Sequence, residues 1–140
     1  MITVNFDGKL PYHRTPGFVG PFPVFEVILH WNQASTPHVF ALLDSGSMRT
    51  IFKAELADAL GIRDLDRFPA ATFNTGGGPV VVHFVDLELE IVLEKANRFA
   101  CQVGFAHIPR HILGRDIVFS KYMLAFDERA QIIYYRESLG

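Results

Sequence analysis

The sequence has a single cysteine, Cys101, among its 140 residues. One thiol excludes an intramolecular disulfide framework and a metal site built from several cysteines. An excess of one charge is also lacking, because 13 basic residues face 15 acidic ones and the formal net charge is −2. This balance argues against nucleic acid or an anionic membrane as a partner held by bulk electrostatics. No run reaches the ~20 apolar residues of a membrane-spanning helix.

The composition is that of a folded domain. Hydrophobic residues make up 49% and aromatic residues 13% of the chain, which excludes a disordered chain or a coiled coil. The length predicts one domain over residues 1–140. Residues 7–23 contain four prolines and three glycines, which predicts an irregular N-terminal arm. The absence of a signal-like apolar segment near the start and the lone cysteine favour a cytoplasmic protein.

Strand patterns dominate the chain. At residues 85–91, four apolar residues alternate with Asp86, Glu88 and Glu90, and we interpret these acids as the solvated face of a strand. The continuous apolar run Val39–Leu43 is typical of a strand buried on both faces. Further strands are predicted at Ile2–Phe6, Val24–Trp31, Ala70–Asn74, Pro79–Ile91, Phe99–Phe105, Met123–Phe126 and Ile132–Tyr135.

Two short helices interrupt the strands. Phe52, Leu56 and Leu60 recur at i, i+4 and i+8, which predicts an amphipathic helix over Ile51–Leu60 that ends before Gly61. A second short helix is predicted over Ile117–Tyr122. The fold class is therefore mostly β with one or two short helices.

The acid at Asp44 is the first candidate for chemistry. It ends an apolar strand and is followed by Ser45, Gly46 and Ser47, which turn tightly and offer hydrogen bonds. Asp is depleted in strands and is rarely buried without a partner. By itself this tetrapeptide fits a turn at the end of a strand as well as it fits a functional carboxylate.

Two further motifs accompany Asp44. A second apolar stretch ends about seventy residues later in Gly114, Arg115 and Asp116 and leads into a helix. Between the two motifs lies a hairpin whose tip is Thr75, Gly76, Gly77 and Gly78. Three consecutive glycines make a mobile tip, which is typical of a lid over a cleft.

These three motifs, in this order, resemble the retropepsin-like (retroviral-type) aspartic proteases, and the resemblance covers about Val24 to Tyr135. It implies a closed, β-barrel-like acid-protease fold with a flap hairpin. Asp44 is then the catalytic residue in a loop shaped by Ser45 and Gly46. Residues 75–78 are the flap, and Gly114, Arg115 and Asp116 are structural or dimer-forming residues.

The resemblance implies an aspartic endopeptidase that acts on a peptide or protein substrate without metal or cofactor. Its mechanism needs two carboxylates that share one proton across a water molecule. The chain holds one Asp-Ser-Gly motif, so the second carboxylate must come from a homodimer with two-fold symmetry. Ser47 is predicted to donate a hydrogen bond to Asp44, which favours the charged carboxylate and an acidic pH optimum.

One departure concerns Met48, which stands where viral members often carry an Asp that pairs with the arginine of the second motif. Arg115 is therefore expected to have a different partner. Two alternative functions stay open at this point. One is a non-proteolytic binding or dimerisation module that keeps the fold, and the other is a monomeric small-molecule hydrolase that uses Asp44 as a base.

Other signals are weaker. The glycine run lacks the Lys-Ser/Thr and the helix of a phosphate-binding loop. Ser45 and Ser47 lie outside any G-x-S-x-G motif. His107 and His111 have the spacing of helical metal ligands, but Pro109 stands between them, and we interpret both as loop or partly buried residues. Cys101 and Trp31 are predicted to be core residues.

Overall fold

The computed structural model describes residues 1–15 and 19–138. Within these residues the chain forms eleven strands, two short α-helices and one 3₁₀ turn at Leu65–Arg67. The strands are β1 (Gly8–Pro11), β2 (Val24–Trp31), β3 (Ala34–Ser35), β4 (Val39–Leu43), β5 (Ile51–Lys53), β6 (Ala70–Thr75), β7 (Gly78–Ile91), β8 (Asn97–Ala106), β9 (Ile112–Leu113), β10 (Tyr122–Asp127) and β11 (Ile132–Glu137). The helices are α1 (Ala54–Ala59) and α2 (Val118–Lys121). The predicted mostly β class is confirmed.

The larger sheet closes on itself. Its strand order is β3-β2-β4-β9-β5-β8-β7-β6, and β2 also pairs with β7, so six strands from β2 to β7 form a closed ring. The long strand β7 supplies both the pairing that closes the ring and the hairpin with β6. A separate three-stranded sheet contains β1, β11 and β10 in that order. Closure removes the unpaired edges that β2 and β7 would otherwise expose.

The core joins the closed sheet to the three-stranded sheet, because Ile133 and Tyr135 of β11 belong to the same buried cluster as the apolar side chains of the ring. On β7, Val85, Leu87, Leu89 and Ile91 are buried while Asp86 and Glu88 are exposed, which confirms the predicted alternation. The third acid, Glu90, is only partly exposed, because its carboxylate is 2.7 Å from Nε2 of His30 on β2. Each fully buried side chain of this size contributes about 1.5–3 kcal/mol relative to an exposed one. The largest fully buried side chains come from five strands of the ring: Phe25, Val27, Leu29, Phe52, Val82, Val85, Leu89, Ile91, Phe105 and Leu113. Leu60, just after α1, and Ile133 of β11 complete this set.

The N-terminal region differs from the prediction. Ile2–Phe6 forms no strand, and the first strand is Gly8–Pro11, inside the predicted irregular arm 7–23. The physical reason is a partner: β1 pairs antiparallel with β11, whereas the alternating segment before it has no neighbour to pair with among the described residues. The arm also folds back through a bridge between His13 and Phe22. Its residues 16–18 lie outside the described part of the chain.

Two further expectations need correction. The predicted helix Ile51–Leu60 begins as strand β5, because Ile51–Lys53 pairs with β8, and only Ala54–Ala59 is α-helical. Gly61 follows that helix with φ +79°, as expected for its end. Strand β4 is not buried on both faces, since Phe40 is 36% exposed while Ala41 is fully buried.

No helix in the described residues has the length and apolarity needed to cross a membrane.

Parallel pairing of β4 with β9 brings two loops together. Leu42 lies opposite Ile112 and Leu43 opposite Leu113, so both strands end at the same edge. The loops that follow contain Asp44 and Gly114. At Gly114 an added Cβ would overlap the backbone carbonyl of Arg49 and lie 2.9 Å from the carbonyl oxygen of Ser47. Only glycine allows the two loops to approach this closely.

Gly114→Ala should therefore destabilise the protein by at least about 1–3 kcal/mol, because the backbone of one loop must move to admit the methyl group. Chemical denaturation measures the free energy of unfolding. Gly76→Ala is the matched control, since a Cβ there meets nothing within 4 Å. Equal stability of the two variants would contradict this close approach.

His111 holds the end of β5 to the segment before β9. Its Nδ1 accepts a hydrogen bond from the backbone N–H of Lys53 at 3.1 Å. Burial, helped by the positive charge of Lys53 and opposed by Glu55, lowers the pKa of His111 from 6.5 to about 4. The folded protein therefore holds this imidazole neutral at pH values where the unfolded chain protonates it.

We expect the free energy of unfolding to fall as the pH drops from about 6.5 to about 4, and this contribution to be fully present above pH 6.5. His111→Asn keeps an acceptor for the Lys53 N–H but does not titrate. Denaturation curves over this pH range should be flatter for the variant than for the wild type. Parallel curves would show that His111 titrates alike in the folded and unfolded states.

Candidate active site

Asp44 is fixed by its backbone at the end of β4. Its N–H donates to the carbonyl of Leu113 at 3.0 Å, which extends the pairing of β4 and β9 by one residue. Its own carbonyl accepts the N–H of Ser47 at 3.1 Å and closes a tight turn. Its Oδ1 accepts the N–H of Gly46 at 2.9 Å. The carboxylate is thus held by the loop that follows it, and the side chain is only partly buried.

The Ser47 hydroxyl does not reach the Asp44 carboxylate. It donates its hydrogen to the carbonyl of Arg49 at 2.7 Å. The predicted bond that favours the charged carboxylate is therefore not formed, because a hydroxyl has one hydrogen to donate. Ser45 is exposed, and no hydrogen bond of its side chain occurs within the described residues. Within the described part of the chain, the hydrogen bonds recorded for Asp44 are therefore to backbone groups and not to either serine hydroxyl.

The second motif is tied to the first through Thr50, which is fully buried. The Thr50 hydroxyl accepts the N–H of Gly114 at 3.0 Å and donates to Asp116 Oδ1 at 2.8 Å. The other carboxylate oxygen of Asp116 pairs with Arg49 Nε at 3.1 Å. Both oxygens of Asp116 are therefore engaged in holding the loops together, which is a structural role.

Arg115 lies beside Met48. Its Nη1 is 3.4 Å from the sulfur of Met48, a weak acceptor, and its backbone N–H donates to the carbonyl of Ser47 at 2.8 Å. As the sequence predicts, the Arg115 guanidinium has a partner at position 48 that is not a carboxylate. Since Arg115 is exposed, its guanidinium contributes little to the stability of the folded chain.

Asp44 lines a cavity of about 510 Å³ together with the tip of the β6–β7 hairpin. Asp44 and Arg49 are the charged residues among its described lining, and most of its walls are apolar. The apolar contributors are Met48, Ile51, Phe73, Val80, Val82, Ile108 and Ile112. The predicted catalytic residue and the predicted flap residues Thr75 and Gly76 thus share one cavity.

The hairpin tip is organised by Thr75. Its hydroxyl donates to the carbonyl of Gly78 at 2.7 Å and accepts the N–H of Gly77 at 3.2 Å. Gly78 has φ +108°, which only glycine adopts readily, whereas Gly76 and Gly77 have no positive φ. One of the three glycines is therefore required by the backbone of the turn, and the other two leave space at the tip.

The remaining sequence candidates lie elsewhere. Cys101 is partly buried against the core, and burial raises the pKa of its thiol to about 11, which makes it a poor nucleophile. Trp31 packs against the core as expected. Within the described residues no group of three or more His, Cys, Asp or Glu side chains is placed to hold a metal ion.

Arg49 and Thr50 are the site residues that the sequence did not reveal. Arg49 donates from Nε to Asp116 and from Nη2 to Gln102 at 3.0 Å, and its guanidinium carbon lies 4.2 Å above the ring of Phe84. No spacing rule connects a residue on the first loop with Asp116, 66 or 67 positions later. The position of Thr50 after a turn does not by itself predict a role, because its partners Gly114 and Asp116 are distant in sequence.

Comparison with known proteins by sequence gives no relative. No family model matches the chain. No curated protein matches it either.

Comparison by structure does find proteins of similar fold. The fold is similar to that of a retropepsin-like aspartic protease from Rickettsia conorii, with a TM-score of 0.61, 16% identity, and coverage of 91% of this chain and 98% of that one. EIAV protease in complex with the inhibitor HBY-793 matches at a TM-score of 0.49 and 20% identity, over 85% of this chain and 93% of that one. The retroviral protease-like domain of Ddi1 from Leishmania major matches at a TM-score of 0.48 and 16% identity, over 83% of this chain and 94% of that one.

The first of these comparisons supports a conclusion about fold. It covers nearly the whole of both chains, and the closed ring of strands is the architecture that the sequence resemblance implies. The chain has the retropepsin-like fold.

Proposed function

We propose that the protein is an aspartic endopeptidase that acts as a homodimer, with residues 1–140 as one protease domain. The observation that carries this proposal is the position of Asp44. It lies at the end of a core strand, is held by the backbone N–H of Gly46, and faces a cavity that it shares with a hairpin tip. A partly buried carboxylate in a peptide-sized cleft is suited to activating water.

The proposal requires a second copy of the chain. Two carboxylates close together cannot both ionise, so they share one proton. The ionised one then takes a proton from the attacking water, while the protonated one donates to the oxygen of the scissile carbonyl. Asp116 is a poor source of the second group, because Thr50 and Arg49 engage both of its oxygens. Each protomer therefore supplies one Asp44.

The loop residues have distinct parts in this proposal. Gly46 presents its N–H to Asp44 and leaves room beside the carboxylate, where an added Cβ would lie 3.2 Å from Oδ1. Ser45 is exposed next to Asp44, which suits contact with the partner protomer across the two-fold axis. Ser47 acts on the loop through the carbonyl of Arg49 rather than on the carboxylate.

The substrate is a peptide with apolar side chains near the cleaved bond. The walls of the Asp44 cavity are built from isoleucine, valine, phenylalanine and methionine side chains, which gain by burying apolar groups of a substrate. Thr75 and Gly76 of the hairpin tip line this cavity, and we propose that the tip acts as a flap.

Asp44→Asn should reduce peptide cleavage by at least about a thousandfold, because an amide cannot take the proton from water. Mixing supplies the sharper test. When equal amounts of variant and wild type exchange subunits, about half of the wild-type chains end in mixed dimers, so activity per wild-type chain should fall to about half. Cleavage of a peptide library at pH 4–7 measures both effects.

Asp58→Asn, on the exposed face of α1, is the matched control and should not lower activity in the same mixture. Undiminished activity per wild-type chain would overturn the dimeric site and favour a monomeric hydrolase. Absence of cleavage by the wild type, despite dimers in solution, would favour a binding module with this fold.

Thr75→Val should lower kcat/KM by about three- to tenfold, since it removes two hydrogen bonds that shape the tip, each contributing about 0.5–1.5 kcal/mol. Thr75→Ser keeps the hydroxyl and should retain nearly full activity. The tip is exposed, so thermal unfolding should be similar for both variants. Equal kcat/KM for the two would argue against the hairpin tip as a flap.

A further inference from the structure

A second cavity, of about 560 Å³, shares no described lining residue with the Asp44 cavity. Residues 93–97, the turn from β7 to β8, form one wall. The three-stranded sheet and the residue before it form the other wall, through Asp7, Tyr122, Tyr135 and Glu137. The proposed protease mechanism uses none of these residues.

Tyr135 brings a hydroxyl without a partner to this cavity. The residue is 7% exposed, and its hydroxyl forms no hydrogen bond with any described residue. Its ring is held in the core by edge contacts with Phe25 and Tyr122. A buried tyrosine hydroxyl usually finds a hydrogen-bond partner. The polar end of Tyr135 is therefore available to a ligand in the cavity.

The position of this hydroxyl is built into the sheet. Tyr135 lies opposite Gly8 where β11 pairs with β1. A Cβ added at Gly8 would overlap the Tyr135 hydroxyl and lie 2.6 Å from Cζ of the ring. Because glycine has no side chain, the end of the phenol ring passes over the backbone of β1 at this point.

The charge of the cavity is negative. Asp7, Glu94 and Glu137 line it with three carboxylates, against the single ammonium group of Lys95. None of the four forms an ion pair with a described residue. One oxygen of Asp7 accepts the backbone N–H of Glu137 at 2.8 Å, which fixes that carboxylate beside the sheet. A concave site with this excess of carboxylates attracts a cation.

Two of the carboxylates lie near enough to the Tyr135 hydroxyl to affect it. Burial raises the pKa of Tyr135, and the negative charges of Glu94 and Asp7 raise it further. The hydroxyl is therefore neutral at pH 7, and its oxygen can accept a hydrogen bond from a cation. A cation in the cavity thus meets both negative charge and an unused neutral acceptor.

The rest of the lining suits a hydrocarbon chain. Leu93 and Ala96 contribute apolar surface from the turn, and Tyr122 contributes an aromatic ring from β10. The Tyr122 hydroxyl accepts a hydrogen bond from Nδ2 of Asn97 at 2.9 Å, which fixes the ring. An apolar wall beside carboxylates fits a ligand that carries positive charge at the end of an aliphatic chain.

A bare metal ion fits this cavity less well. Within the described residues no three His, Cys, Asp or Glu side chains are placed to hold a metal ion, so the three carboxylates do not converge on one point. We propose instead that the cavity binds a primary alkylammonium group. The ammonium group lies among Asp7, Glu94 and Glu137 and donates to the Tyr135 hydroxyl, while its aliphatic chain lies against Tyr122. This binding does not depend on peptidase activity.

Titrations of the full chain at pH 7 and low ionic strength, followed by NMR, test the proposal. The probes are butylamine, acetyl-lysine amide, acetyl-norleucine amide and calcium chloride. At least one of the two amines should bind saturably and shift the ring signals of Tyr135, and the comparison between them distinguishes a free amine from a lysine side chain. The neutral norleucine compound should bind about tenfold more weakly or less, because it lacks the charge-assisted hydrogen bonds.

No saturable binding of either amine would overturn the site. Equal binding of acetyl-norleucine amide and the amines would contradict a role for charge. Tighter binding of calcium than of both amines would show a metal site in place of an alkylammonium site.

The double variant Glu94→Gln/Glu137→Gln should weaken binding of the preferred amine by about fivefold, because two partly screened charges are lost. Glu55→Gln/Asp58→Asn removes the same net charge from the exposed face of α1 and is the matched control. Lys95→Met should act in the opposite direction and strengthen binding, since it removes a competing positive charge. Equal losses in the two double variants would assign the effect to net charge and overturn the site.

Tyr135→Phe supplies a readout that a merely structural role would not move. Without amine the variant should be as stable as the wild type or more stable, because the hydroxyl has no partner in the fold. With amine it should bind about three- to tenfold more weakly. Tyr134→Phe, the neighbour on β11 that does not line the cavity, is the matched control. Lower stability of Tyr135→Phe at unchanged affinity would assign this hydroxyl to the fold alone.

Discussion

The hydroxyl of Thr50 connects the parts of this molecule on which the proposed chemistry depends. It is fully buried, accepts the N–H of Gly114 and donates to Asp116. A buried hydroxyl with both functions satisfied costs little and orients what it binds, whereas one with a missing partner would destabilise the loops. Asp116 extends the contact to Arg49, so the loop after β4 and the loop after β9 behave as one unit.

This unit explains why Asp44 and Asp116 have different roles. The two acids end or follow strands that run in parallel, and the sequence pattern around them is similar. Asp116 faces the buried hydroxyl and a guanidinium, and both of its oxygens are engaged. Asp44 receives one backbone N–H and otherwise faces a cavity. A carboxylate with a free oxygen in a cleft is available for chemistry, and one that closes a hydrogen-bond network is not.

The cavity at Asp44 follows from the same arrangement. Its walls are mostly apolar, and its two charged lining residues are Asp44 and Arg49. Arg49 is already paired with Asp116, so Asp44 is the charged lining residue that has no ion pair among the described residues.

The sequence by itself determined the positions of most strands, the hairpin with its tip at residues 75–78, and the candidate Asp44. Period-two alternation of apolar residues, a glycine-rich turn and a strand that ends in Asp-Ser-Gly are all local signals. It failed where partners decide the outcome. Ile2–Phe6 alternates but has no strand to pair with among the described residues, whereas Gly8–Pro11 forms a strand because it pairs with β11. Ile51–Lys53 forms a strand instead of a helix because it pairs with β8. Only the tertiary structure decided that Thr50 joins the two loops and that the Ser47 hydroxyl turns to Arg49. Each of those hydrogen bonds depends on which groups folding brings within about 3 Å of each other. A local sequence pattern does not predict that proximity.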